Sequence, residues 1–198
     1  MKIRALPITL AVALSGCASM HPGQGGGWIT LFDGKTVDNF NKVGDANWRI
    51  EGGLAVADKG RGFLVTKEQY KDFEMRVEFW ADEEANSGIY YRCTSATDLS
   101  NATCYEANIF DKRTTPYGTG GIVDVTEIKP RPIAANRWNT YHLTVKGDRH
   151  TLVMNGDKTT EGTDTKRTNA GYIGLQRFDG LVKDKGTIKF RKVEIRPL

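Results

Sequence analysis

Between Phe73 and Trp80 the chain alternates without a slip: Phe73, Met75, Val77 and Phe79 on one parity, Glu74, Arg76, Glu78 and Trp80 on the other. A period of two belongs to a strand with one face on a core; a helix needs apolar residues every three or four positions. The alternation returns in Ile89 and Tyr91 against Tyr90 and Arg92, and in Tyr105, Ala107 and Ile109 against Glu106, Asn108 and Phe110. It recurs in Asn139, Tyr141, Leu143 and Val145 against Thr140, His142, Thr144 and Lys146. Thr151 to Met154 runs into Asn155-Gly156, a pair that suits the positive φ angles of a type I′ hairpin turn. Ile188 and Phe190 share one parity and Val193 and Ile195 the other, which predicts a bulge near Arg191-Lys192. No stretch reads as a convincing amphipathic helix; Thr66 to Asp72 offers one short turn at most. Roughly ten to thirteen short strands predict an all-β sandwich of two sheets or a jelly roll, and the 22 glycines suit its turns.

The first 27 residues read differently. Lys2 and Arg4 precede an apolar run from Ala5 to Leu14, the order of a secretory signal. The run is too short for a bilayer span, which takes about 20 residues. Leu14-Ser15-Gly16-Cys17 resembles the bacterial lipobox, so residues 1–16 are expected to be a signal peptide and Cys17 the lipidated mature N-terminus, against an ordinary signal peptide whose lone cysteine is accidental. Several acyl chains on one cysteine would anchor the protein stably. Ala18 stands where an Asp would signal inner-membrane retention, which favours an outer-membrane, periplasm-facing location in a Gram-negative envelope. Residues 17–27, with Gly23, Gly25, Gly26 and Gly27, read as a flexible tether, and 28–198 as one domain.

Losing Lys2 and Arg4 takes the formal charge from +4 to +2, with both signs interspersed, so nothing points to nucleic acid. Cys93 and Cys104 form an even pair outside the cytoplasm, for which a disulfide is favoured over a two-cysteine metal site without a nearby His.

The motifs, in order, are Trp28-Ile-Thr-Leu-Phe-Asp-Gly-Lys35, Trp48-Arg-Ile-Glu-Gly-Gly-Leu54, Tyr70-Lys-Asp-Phe-Glu-Met-Arg-Val-Glu-Phe79 and Asn86-Ser-Gly-Ile-Tyr-Tyr-Arg92. Tyr105-Glu-Ala-Asn-Ile-Phe-Asp111, Gly118-Thr-Gly-Gly-Ile122, Trp138-Asn139 and Gly171-Tyr-Ile-Gly-Leu-Gln176 follow. This series resembles the 3-keto-disaccharide hydrolase domain family over nearly the whole chain from Gly27 to Leu198. The resemblance implies a concanavalin A-like (lectin/glucanase) jelly roll of two antiparallel sheets, with carbohydrate across the concave face of one. It also implies cleavage beside a ketone. A C3 ketone acidifies the C2 proton, and the glycosidic oxygen on C1 is then expelled by elimination, with hydration to follow. Such a site needs a base at C2, an electrophile at the C3 oxygen, either an arginine or a divalent metal ion, and an acid for the leaving oxygen.

Glu106, Asn108 and Arg92 form the leading site. Glu106 would be the acid or base, Arg92 the oxyanion stabiliser brought near by the Cys93–Cys104 bridge, and Asn108 an orienting partner. The alternative is a solvated salt bridge of little worth. Asp111 gives Glu106-x-Asn108-x-x-Asp111, which resembles the carboxylate spacing of retaining β-glucanases, or it is a turn residue before Lys112-Arg113. His142, at a polar position on a strand, is the remaining catalytic candidate, against a satisfied structural role. Trp80 and Tyr90 would stack on a sugar ring or pack against protein, and Glu78 and Gln176 complete the substrate-binding candidates. Phe178 stands where the resemblance leads one to expect a His, so Arg177 or Asp179 substitutes for it or activity is lost. Three functions therefore compete: cleavage of 3-keto-glycosides, non-catalytic glycan binding, and conventional retaining hydrolysis. No ligand set for a metal, no sugar identity and no oligomeric state is legible.

Overall fold

The computed structural model describes residues 26–198, so the expected signal peptide, Cys17 and most of the tether lie outside the described residues. Within them are thirteen strands: β1 (Ile29–Phe32), β2 (Phe40–Gly44), β3 (Arg49–Glu51), β4 (Leu54–Ala57), β5 (Gly62–Thr66), β6 (Phe73–Ala81) and β7 (Ser87–Cys93). β8 (Tyr105–Ile109), β9 (Arg137–Lys146), β10 (Arg149–Met154), β11 (Asp157–Thr163), β12 (Tyr172–Arg177) and β13 (Ile188–Pro197) follow. They form two antiparallel sheets, the all-β jelly-roll sandwich that the alternation and the resemblance predict. One runs β11-β10-β9-β6-β13-β4-β3, and the other β2-β5-β12-β7-β8. β13 gives one edge to β6 along its whole length and divides the other between β4 and β1.

The inward parity of β6 supplies Phe73, Met75, Val77 and Phe79, all essentially buried, against Leu64, Ile89, Tyr91, Ala107 and Leu175 from the other sheet. The predicted bulge in β13 is present: its register to β6 shifts between Phe190 and Lys192, which returns Val193 and Ile195 to the core. The Asn155-Gly156 hairpin has φ of 53° and 94° at its two turn residues, joining Met154 directly to Asp157.

One departure from alternation matters for function. β7 and β8 are buried on both faces, although polar residues fill half of their outward positions. Loops lie over that outward face: the segment 94–103, closed at its ends by the Cys93–Cys104 disulfide (Cα–Cα 4.2 Å), and the segment from 110 to 123.

Candidate functional site

The outward face of the five-stranded sheet follows from its register. Tyr90 on β7 pairs with Glu106 on β8, and Gly88 with Asn108. Gln176 on β12 pairs with Phe63 on β5. These side chains share one face, and over Tyr90, Glu106, Gln176 and Phe63 opens a cavity of about 260 Å³. Its rim comes from Asn86, Leu99, Asn101, Arg113 and Phe178.

Glu106 is the centre of this cavity and is only 2% exposed. A Cβ at position 88 would stand 2.7 Å from its Oε1, so the glycine across the ladder is what gives the carboxylate room. Asn101 Nδ2 donates to Glu106 Oε2 at 3.0 Å, and Asn101 Oδ1 accepts from the Tyr90 hydroxyl at 3.2 Å. Gln176 Nε2 donates to the same hydroxyl at 3.1 Å, while Gln176 Oε1 is buried without a partner. Burial pushes the Glu106 carboxyl above its ordinary range; the Asn101 hydrogen bond and the charge of Arg113 pull part of the way back. Burial, with the Glu106 charge second, pushes the Tyr90 phenol far up, so its hydroxyl stays protonated. The result is an acid whose charged and neutral forms are brought closer in energy, beside fixed donors and one unused acceptor.

Of the residues expected from sequence, Glu106, Tyr90 and Gln176 come together here. Arg92 does not. β7 carries one residue more than β12 between the Tyr90–Gly174 and Cys93–Tyr172 pairs, and Arg92 adopts φ 49° at that bulge. Its guanidinium turns to the carbonyls of Lys71 (2.9 Å), Gly147 (2.6 Å) and Arg167 (3.0 Å) and to Asp72 Oδ1 (2.9 Å), where it fastens three loops. The cation whose charge acts on Glu106 is Arg113 instead. Asn108 shares the face but lies under the 117–121 loop, donating to the Tyr117 carbonyl at 2.6 Å with its own Oδ1 unpaired. Asp111 does not meet Glu106: its carboxylate accepts from the Ala134 and Ala135 amides and the Thr119 hydroxyl, so the glucanase-like spacing is a loop anchor.

His142, Glu78 and Trp80 stand on the other sheet, facing away from Glu106 across the core. His142 Nε2 is 3.6 Å from Glu74, Glu78 pairs with Arg191, and Lys189 Nζ lies 4.4 Å over the Trp80 ring. Neither residue flanking Phe178 enters the cavity either. Asp179 is held by Arg61 (2.7 Å) and Arg177 (2.9 Å), and the two terminal nitrogens of Arg177 donate to the Asp58, Gly60 and Lys185 carbonyls. Phe178 itself lines the cavity, with Arg61 Cζ 4.7 Å from its ring. Among the lining residues Glu106 is the one carboxylate and there is no imidazole, a donor set that does not fit a divalent cation. No group of three or more His, Cys, Asp or Glu that could hold a metal occurs among the described residues.

Sequence reasoning missed Asn101, Arg113, Phe63 and Leu99. For Asn101 and Leu99 a signal existed, since a disulfide across residues 93 and 104 implies a short loop held against the strand pair. Leu99 uses the gap left by Gly174, where a Cβ would come within 2.5 Å of it. Arg113 reads as part of a charged turn, and nothing in the sequence marks it.

A jelly-roll domain with a buried acid, aromatic walls and amide donors in one cavity on a sheet face defines the class. The 3-keto-alpha-glucoside-1,2-lyase-like domain model matches residues 27–196, and the chain belongs to that family. A 3-keto-disaccharide hydrolase of Bacteroides thetaiotaomicron is 32% identical over 89 residues, covering 38% of this chain. That match spans 31% of the relative's own length. A solved structure from Parabacteroides distasonis, named as a candidate glycosyl hydrolase, superposes with a TM-score of 0.73 at 25% identity, covering 87% of this chain and 100% of that one. A carbohydrate-binding module from Bacillus subtilis shares the fold at a TM-score of 0.55 and 16% identity, covering 86% of this chain and 96% of the module.

Proposed function

We propose that this domain binds a saccharide in the Glu106 cavity and cleaves 3-keto-glycosides there by proton abstraction beside the ketone. The observation that carries the reading is Glu106 itself: a carboxyl raised by burial, facing a cavity and held by Asn101. A base with a raised pKa suits a weakly acidic C–H proton. Glu106 takes the C2 proton, and the electron pair moves onto the C3 oxygen as an enolate, opposite the Arg113 charge. Collapse of the enolate re-forms the ketone and a C1–C2 double bond as the C1–O bond breaks. The expelled oxygen takes up a proton, for which protonated Glu106 is the nearby source. Addition of water across the double bond then gives the hydrolysed product. Gln176 Oε1, the unused buried acceptor, receives a sugar hydroxyl, and Phe63 and Phe178 face the apolar side of the ring.

The test is turnover of a 3-keto-glucoside followed by NMR. Loss of turnover in Glu106→Gln, with folding intact, supports the reading. A wild-type protein without turnover on any 3-keto-glycoside overturns it.

Phe178 favours a second reading, glycan binding without cleavage, since the neighbouring Arg177 and Asp179 are engaged elsewhere. Saturable binding of glycans by a protein inert toward their 3-keto forms supports this one. As to location, Leu14-Ser15-Gly16-Cys17 supports an acylated Cys17 and an envelope anchor. Mass spectrometry of the N-terminal peptide, compared with Cys17→Ala, tests that directly.

A further inference from the structure

Three of the four tryptophans, Trp28, Trp80 and Trp138, lie on the outward face of the eight-stranded sheet, while Trp48 is in the core. Each of the three carries a cation. Arg76 Cζ is 4.1 Å and Arg196 Cζ 5.1 Å from the Trp28 ring, Lys189 Nζ is 4.4 Å from Trp80, and Arg191 Cζ is 4.3 Å from Trp138. The strand register produces this, because Trp80 pairs with Trp138 on β9 and with Lys189 on β13. On β6 and β13 alone this face holds five cations, counting Lys192, against the carboxylates of Glu74, Glu78 and Glu194, which pair with Arg196, Arg191 and Lys192 and leave Arg76 and Lys189 uncompensated on those two strands. With their faces covered by side chains of the same sheet, these rings are poor platforms for a sugar. An indole joined to a cation is instead the pair that suits a lipid headgroup region, where tryptophan concentrates and anionic lipid attracts Lys and Arg.

The chain's entry to the domain adds an independent argument. The residue through which the N-terminal segment joins β1 is Trp28, on this same face. Ten residues separate it from Cys17, a reach of at most about 35 Å when fully extended. The Glu106 cavity lies on the outward face of the opposite sheet, so a surface met through Trp28 leaves that cavity open.

We propose that the outward face of the eight-stranded sheet docks on an anionic lipid bilayer, with Trp28, Trp80 and Trp138 at headgroup level and the Glu106 cavity turned away from the membrane. The proposal rests on Cys17 anchoring for how the chain reaches the surface, and on the face's own chemistry for the docking.

The test uses the full chain purified from membranes, with acylation of Cys17 read separately by mass spectrometry. The protein is mixed with phosphatidylcholine vesicles, with or without a third of phosphatidylglycerol, that carry a brominated lipid to quench tryptophan. Quenching is expected in the anionic vesicles, weakening as salt is raised. In Arg191→Gln/Lys192→Gln, the docked-to-undocked ratio read from quenching in anionic vesicles should fall about thirtyfold, at about 1 kcal/mol for each cation removed. Acylated protein that stays unquenched in anionic vesicles, or is quenched equally in neutral ones, overturns the docking. Unacylated protein that is still quenched in anionic vesicles upholds the docking and removes only the anchor. Burial of the three tryptophans by self-association without vesicles assigns the face to a second copy and overturns it.

Discussion

Asn101 holds Glu106 from above, donating Nδ2 to Oε2 at 3.0 Å while its Oδ1 takes the Tyr90 hydroxyl. That bond favours the charged carboxylate and opposes the burial that raises its pKa. Removing it in Asn101→Leu should move Glu106 further up, because a charge-assisted hydrogen bond to the ionised form is lost. In a pH profile of kcat/KM the acidic limb shifts to higher pH. A limb that stays in place would show that Glu106 does not set it.

Gly88 pairs with Asn108 and leaves the space that the Glu106 carboxylate occupies. Gly88→Ala puts a methyl group 2.7 Å from Oε1 and 3.2 Å from the Ala107 carbonyl. The carboxylate must swing aside. Ligand affinity and turnover should fall at least tenfold, with a cost of about 1–3 kcal/mol in stability. Calorimetry on the folded variant separates the two effects.

The Cys93–Cys104 bridge closes the loop that carries Leu99 and Asn101. Replacing both cysteines with serine releases a constraint worth about 3 kcal/mol on the loop-entropy model. Thermal unfolding should show the loss, and ligand binding should weaken beyond it because Asn101 is no longer held over Glu106. Unchanged affinity in the folded variant would mean that the loop is fixed by its own contacts, such as Arg167 on the Asn101 and Ala102 carbonyls.

The sequence shows the sandwich, the β13 bulge and the Glu106–Tyr90 face because side-chain parity is a local property of a strand. It does not show which sheet a strand joins. Thus β6 and β9, although they alternate as clearly as β7 and β8, carry Trp80, Glu78 and His142 to the wrong side of the molecule. Arg92 fails for a different reason. Parity assigns it to the Glu106 face, but one extra residue at a bulge turns it into the loops. Arg113 and Asp111 sit in irregular chain, where no period exists to read and only tertiary contacts fix direction.

That distinction between the two arginines is measurable. Arg92 is 1% exposed and satisfies three carbonyls and Asp72, so Arg92→Met should cost about 3 kcal/mol or more by leaving them unpaired. Arg113, half-buried at the cavity rim, makes one side-chain bond, to Thr115. Arg113→Met should leave the melting temperature within a few degrees while lowering kcat at least tenfold. The opposite pattern would restore Arg92 to the site.

Stability should also depend on pH through a residue remote from the cavity. His150 is fully buried between Tyr91 and Tyr105, with Nδ1 3.0 Å from the Tyr91 hydroxyl and Nε2 unpaired. Burial, helped by the charge of Arg92, lowers its pKa to about 4 from an ordinary 6.5. Between those values the unfolded chain binds a proton that the folded chain refuses, so protonation favours unfolding. The contribution is complete above pH 6.5, is lost as the pH falls toward 4, and changes no further below that. Its full size is about 3 kcal/mol. Denaturant unfolding across this window should lose that much more stability in wild type than in His150→Gln, which cannot take up the proton and keeps an acceptor for Tyr91. Parallel pH curves for the two proteins would mean that the imidazole is reached by water in the folded state.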